Sequence, residues 1–295
     1  MTVTLAFVAL AAVWGASFLF LRLAVPDFGP ILSAELRVGI AWLALTVFSG
    51  MAALRRFSPF TPAESFPKAR VPIAWWKMAL VGLTNSALPF ALYGFAALTL
   101  PAGYLAILNA LVPLWGGLIA AAFLGQPLRW TLFAAVGLAA LGISQMVRLG
   151  PVPVDTQTLL AALACAAATL CYAVAGQLTR LWLSGITAVR SARTTLGFAS
   201  LCILPFIATD LQQASPTAVG WTAVLALGLV SSALAYLLFF WLLKKLGPVR
   251  ASSVTFLIPA FGVVWGALFL GEPIGAPVLI GLGLVVLASV LVQRH

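Results

Sequence analysis

Stretches without a charge, long enough to cross a lipid bilayer, constrain this chain more than any motif. Val3 to Leu21 and Val278 to Val292 contain no Asp, Glu, Lys or Arg, and about 20 apolar residues in a helix span roughly 30 Å of hydrocarbon. Such runs recur along the chain: 63% of its residues are hydrophobic, 7% are charged and the mean hydropathy is +1.13. A soluble domain is about half apolar and about a quarter charged, so no water-soluble fold hides this much apolar surface. The membrane is the solvent.

Apolar blocks bounded by charges, glycines and prolines place helices near 3–23, 31–54, 73–97, 102–124 and 129–148, then near 157–182, 187–208, 217–243, 248–270 and 273–293. The fold class expected is all-α and integral to the membrane, with ten transmembrane helices. The longest polar stretch, Arg55 to Pro72, reads as an exposed loop, and a break at Gly150 to Thr158 divides the chain into 1–149 and 150–295. The first segment is read as a retained helix, because nothing basic precedes it and no A-x-A site follows it. Cys165, Cys171 and Cys202 all lie in apolar runs with no CxxC spacing, which points to packing and away from a disulfide framework or a metal site. The only histidine is His295. No cofactor is expected.

The two halves repeat. A shift of 146 residues lays the segment starting at Ser86 onto that starting at Ser232 without a gap, and Pro113 falls on Pro259, Gly116 on Gly262, Gly125 on Gly271, Pro127 on Pro273 and Gly137 on Gly283. Chance likeness between apolar helices matches Leu and Ala, but it does not keep five Pro and Gly positions in register. Five helices per half is an odd number, so the second half enters the membrane from the opposite side and the repeats are inverted. Thirteen of the sixteen Lys and Arg fall on the side of the N-terminus, Arg22 and Arg148 fall on the other, and Arg37 sits within the second helix. Basic residues stay on the cytoplasmic side, so both termini are expected there, and the net charge of +10 reflects orientation and not nucleic-acid binding.

WGASFLFLRLA in the first helix, ELRVGIAWLAL in the second, and the twice-occurring block of proline, small residues and LGQP or LGEP resemble the drug/metabolite transporter superfamily, specifically the group with two EamA domains. The resemblance covers essentially the whole chain. It implies two inverted five-helix repeats, with helices 1–4 and 6–9 around a central substrate cavity and helices 5 and 10 at the periphery. It also implies export of amino acids or related metabolites from a bacterial cell across the inner membrane. The aromatic amino-acid exporters of the YddG type look nearest, although the motifs do not separate them from threonine and homoserine exporters.

Polar residues deep in helices face protein or a water-filled cavity, because an unpaired polar group is costly in hydrocarbon. Asn85, Ser86, Pro89 and Tyr93 form one stripe, and Ser232, Tyr236 and Phe239 repeat it in the second half. Leu105, Asn109 and Pro113 have the counterparts Ala251, Thr255 and Pro259. Four repeat-related helices thus present polar or kinked faces, where inverted-repeat transporters bind substrate. Interhelical packing is the competing reading for each Ser, Thr or Asn. Asn85 and Asn109 stand out, since one packing contact rarely satisfies an amide.

Trp75, Trp76, Trp130, Trp182 and Trp221 lie near helix ends and read as interfacial belt residues. Trp14, with Ser17 and Leu21, gives the first helix a stripe of its own, and Tyr172 is the near counterpart in the sixth; these rings suit an apolar substrate side chain or ordinary packing. Pro89, Pro113 and Pro259 are expected kinks, either hinges or static bends. Gly116 with Ala120 and Gly262 with Gly266 read as faces for close helix contact. Glu35 and Arg37 are two residues apart, point to different faces and cannot pair well. Arg37 therefore needs another partner or reaches outward, and a structural role is the favoured reading.

The first helix has Trp14 and Ser17 where small multidrug exporters, distantly similar, carry a proton-exchanging glutamate. Facilitated diffusion is therefore favoured over proton antiport, and the lack of paired basic residues at mid-depth disfavours phosphorylated substrates. An intramembrane enzyme would need a nucleophile with a base, or metal ligands, within reach. A membrane scaffold would not need matched polar stripes. A multidrug or lipid carrier of the same fold is the closest rival. The expected partners are a small molecule of the amino-acid class, aromatic amino acids among the options, and membrane lipids, with the chain a monomer or weak dimer.

Overall fold

The computed structural model describes residues 2–55, 74–123, 125, 130–149, 152–153 and 155–293. The polar loop expected after Arg55, with Glu64, and the residues Gln126, Pro127, Arg129, Gly150 and Pro151 lie outside them. Every regular element among the described residues is helical. We denote them α1 (Val3–Arg55), α2 (Trp75–Ala97), α3 (Ala102–Phe123), α4 (Trp130–Leu149), α5 (Thr156–Trp182), α6 (Ala188–Ile203), α7 (Ala208–Gln213), α8 (Ala218–Leu246), α9 (Arg250–Leu270) and α10 (Ala276–Gln293). Six of these, α1, α2, α3, α5, α8 and α9, are long and apolar enough to span a membrane. The outer surface carries large apolar side chains such as Phe123, Trp130, Leu268 and Phe269. In water that surface would aggregate; against lipid chains it costs nothing.

α1 turns back on itself at Gly29, where φ is 72° and ψ is 169°. Only glycine holds that conformation without strain, and Pro30 then starts the returning helix. The turn is enclosed as well, since a Cβ on Gly29 would lie 2.5 Å from Asp210 Cγ.

Small residues bring the helices together. A Cβ on Gly15 would meet Phe261 of α9 at 2.6 Å, one on Gly228 of α8 would meet the Ile40 side chain of α1 at 2.5 Å, and one on Gly82 of α2 would run into the Thr195 carbonyl of α6. Gly262, expected to mediate close contact, packs onto Ala106. Gly116 does not, because a Cβ there would meet nothing within 4 Å and the residue faces a cavity. α4 and α10 pack on each other through Gly142, Gly281 and Met146.

The matched prolines do what their missing N–H dictates. Pro113 leaves the Asn109 carbonyl without its helical donor, and α3 breaks at Ala110, whose ψ is 0°. Pro259 does the same to the Thr255 carbonyl, and α9 tightens into a 3₁₀ turn over Ser253–Phe256. Ahead of Pro89, α2 widens into a π turn at Leu83–Ala87, and α8 carries the equivalent at Ala226–Leu234 with no proline. That irregularity has no signature in sequence.

Acids hold the helix ends. Asp155 begins α5, where the Thr158 backbone N–H donates to its Oδ1 at 2.7 Å and holds its carboxyl below the usual carboxylate range. Asp210 accepts from Ile31 N at 2.6 Å and Leu32 N at 3.1 Å, and Glu272 from Ala102 N at 2.6 Å and Gly103 N at 3.0 Å. In both cases the acid lies far along the chain from the helix it caps. Gly29→Ala should therefore cost about 1–3 kcal/mol in backbone strain alone and displace Asp210; a lower melting midpoint of detergent-purified protein is expected, and an unchanged midpoint would contradict the turn described.

Candidate functional site

A cavity of about 590 Å³ lies between both limbs of α1 and helices α2, α3, α5, α8 and α9, with Ser289 of α10 at its edge. At one end it is sealed. Phe28, Leu32, Ala97 and Leu100 are buried there, Asp210 and Glu272 cap the helices that begin there, and the Asp27 carboxylate takes the Thr217 N–H at 2.9 Å. Toward the other end the lining reaches Gln177 and Ser252, and then Arg180, which is exposed. The N-terminal residues Ala6 and Leu10 pack with Leu242 and Val254 at this second end. The cavity is a dead-ended, half-open chamber.

Its wall carries aromatic and polar groups from several of these helices. Tyr93 of α2 is buried, donates to Asn109 Oδ1 of α3 at 3.2 Å, and stacks on Tyr172 of α5 with ring centres 6.3 Å apart. Asn85 Nδ2 donates to the Tyr236 hydroxyl of α8 at 3.4 Å, so an amide from one half meets a phenol from the other. Trp14 packs on Phe239 at 5.4 Å, and Ser17 turns its hydroxyl back to the Trp14 carbonyl at 2.6 Å. Thr255 Oγ1 donates to the Ser252 carbonyl at 2.9 Å. Aromatic rings supply area, and the amides and hydroxyls supply direction.

Nine of the ten residues singled out from sequence line this cavity: Trp14, Ser17, Asn85, Tyr93, Asn109, Tyr172, Ser232, Tyr236 and Thr255. Ser86 is the exception and corrects the expectation. It is fully buried, and its hydroxyl has no partner among the described residues. The stripe assumed 3.6 residues per turn, but the π turn at Leu83–Ala87 changes the phase, so Asn85 faces the cavity and Ser86 faces protein. Leu105 and Ala251 are likewise in the core. Of the prolines, Pro113 lines the cavity, while Pro89 and Pro259 are buried behind it.

Arg37 also lines the cavity, which sequence reasoning did not anticipate. It is only 9% exposed, its Nε donates to Ser232 Oγ at 3.0 Å, and its guanidinium carbon sits 3.8 Å from the Phe90 ring centre. The signal was there: Arg37 is the one basic residue that the sequence places inside a helix and not at an end. As expected, Glu35 does not pair with it; it accepts from Ser200 Oγ of α6. Among the described residues no cluster of His, Cys, Asp or Glu could hold a metal, and all three cysteines are free.

An apolar helical bundle enclosing a polar-lined chamber open at one end is the architecture of a membrane solute carrier. Residues 1–148 and 159–294 match the EamA-like transporter family, and the chain belongs to that family, within the drug/metabolite transporter superfamily. It is 27% identical to Protein PecM of Dickeya dadantii (strain 3937), over 95% of this chain and 89% of that one. It is 24% identical to a probable terminal-alkyne amino-acid exporter of Streptantibioticus cattleyicolor, over 96% of this chain and 90% of the exporter. Its fold matches a crystal structure at TM-score 0.64 and 21% identity, over 98% of this chain and 95% of the other. The protein is a multi-pass protein of a bacterial-type inner membrane, and its family is one of transporters.

The placement of adjacent residues gives a direct test. With single cysteines introduced into a background lacking Cys165, Cys171 and Cys202, a membrane-impermeant maleimide should modify Asn85→Cys and Ser252→Cys readily and Ser86→Cys at least about tenfold more slowly. Equal labelling at 85 and 86 would contradict the phase set by the π turn.

Proposed function

We propose that this protein exports amino acids or closely related small metabolites by alternating access through the central cavity, as a facilitator driven by the substrate's own gradient. The observation that carries the reading is the cavity wall: the aromatic rings of Trp14, Phe18, Tyr93, Tyr172 and Phe239 beside the polar groups of Asn85, Asn109, Ser232 and Tyr236. Such a wall suits a molecule with one apolar side chain and a polar head. The relative named as a probable amino-acid exporter supports the same class.

The reading includes ten membrane crossings arranged as two inverted repeats, 1–149 and 150–295. The limbs of α1 on either side of Gly29 supply two, and α2, α3, α4, α5, α6, α8, α9 and α10 supply eight; the matched breaks at Ala110 and Ser253–Phe256 support the repeat. Both termini are placed in the cytoplasm by the distribution of Lys and Arg. The open end of the cavity, which it shares with the N-terminus, then faces the cytoplasm, where an exporter loads. Facilitation is supported by the occupation of the acids: Asp27, Glu35, Asp155, Asp210 and Glu272 each accept hydrogen bonds outside the cavity.

Purified protein in proteoliposomes should take up radiolabelled threonine, methionine or phenylalanine saturably without an imposed pH gradient, and Asn85→Ala should weaken uptake several-fold at unchanged folded yield. Uptake only with the gradient would refute facilitation. Uptake of none of the three would refute the amino-acid reading and favour a lipid or multidrug carrier.

A further inference from the structure

Resting on that reading, we propose that Arg37 is the anchor for the substrate's carboxylate and so makes a free acid group the feature this carrier selects. Arg37 is a buried cation on the cavity wall, and the described residues give it a single hydrogen bond, from Nε to Ser232 Oγ. A guanidinium has five N–H donors in a planar fork, whose outer edge matches the two oxygens of a carboxylate. Its aromatic neighbour, Phe90, covers one face without accepting a hydrogen bond in the plane. Tyr172 and Tyr236 line the same chamber and offer hydroxyls, not carboxylates.

The described acids that might neutralise Arg37 each accept hydrogen bonds elsewhere. Asp27 binds Thr217, Glu35 binds Ser200, Asp155 binds Thr158, Asp210 binds Ile31 and Leu32, and Glu272 binds Ala102 and Gly103. A buried charge inside a membrane protein is normally paired, and where the protein does not supply the partner the cargo can. One guanidinium, with no second cation beside it among the described residues, suits a singly charged carboxylate better than a phosphate. Arg180, at the open end of the same cavity, adds a positive charge along the way in. The aromatic wall of Trp14, Phe18 and Phe239 is left for the substrate's side chain.

The test uses reconstituted wild type, Arg37→Gln and Arg37→Lys, with unlabelled phenylalanine and phenylalaninamide competing against labelled phenylalanine. The amide keeps the ring and the ammonium group but lacks the carboxylate. For wild type, the amide should compete roughly 10- to 100-fold more weakly than the acid. Arg37→Gln should erase that preference and Arg37→Lys should keep part of it. Equal competition by acid and amide in wild type overturns the proposal while leaving amino-acid transport intact, and so does an Arg37→Gln protein that keeps the preference. Wild type that transports no amino acid overturns both readings. Should Arg37→Gln not fold, the wild-type and Arg37→Lys preferences decide the matter between them.

Discussion

A backbone N–H or C=O without a partner costs several kcal/mol in hydrocarbon, and that penalty organises the whole molecule. It makes every described element helical and decides where a helix can be broken. The mid-helix breaks at Ala110 and Ser253–Phe256 lie against the cavity. The Asn109 and Thr255 carbonyls, orphaned by Pro113 and Pro259, belong to residues that line the chamber, where water or a substrate donor can reach. Irregular backbone and the binding cavity coincide because one requires the other.

The same penalty explains why the acids sit where they do. A helix that begins near the edge of the hydrocarbon leaves up to four N–H groups unpaired, and a carboxylate both accepts from them and complements the helix dipole. Asp210 does this for the returning limb of α1 and Glu272 for α3, each from a segment of the second half of the chain onto a helix of the first. Together with the buried cluster of Phe28, Leu32 and Leu100, they tie the halves together at the sealed end. At the other end the lining runs out to an exposed Arg180. The asymmetry between a latched end and an open one thus rests on a few hydrogen bonds at the helix ends.

Much of this was legible in the sequence, for reasons that are physical. Apolar runs report helices because the bilayer admits little else, and the register of Pro113 with Pro259 and Gly116 with Gly262 reports the repeat. Polar side chains report a cavity because they are costly elsewhere, which is why Asn85, Asn109, Tyr236 and Thr255 were found. Ser86 was misplaced because a π turn shifts helical phase without leaving a residue signature, and in α8 it occurs with no proline at all. Gly116 was read as a contact residue, yet it lines the chamber; a glycine that makes room for a helix and one that makes room for a solute are identical in one dimension. Arg37 was read as structural because its side chain could have reached out of the bundle, and only the packing of Phe90 and Ser232 shows that it turns inward.

Charge accounting then connects the fold to the proposed mechanism. Four of the described acids accept hydrogen bonds at helix ends and Glu35 accepts one from Ser200, while the cations Arg37 and Arg180 face the cavity. At Asp155 the accepted N–H holds the carboxyl below the usual carboxylate range. A coupling proton would need a carboxylate free to titrate within the chamber, and none of the described acids lines it. The charge that faces the chamber among the described residues is positive, and on the proposed reading it is suited to holding an anionic group. On the proposed reading, an arrangement of this kind selects its solute by charge and shape and leaves the driving force to the solute's concentration.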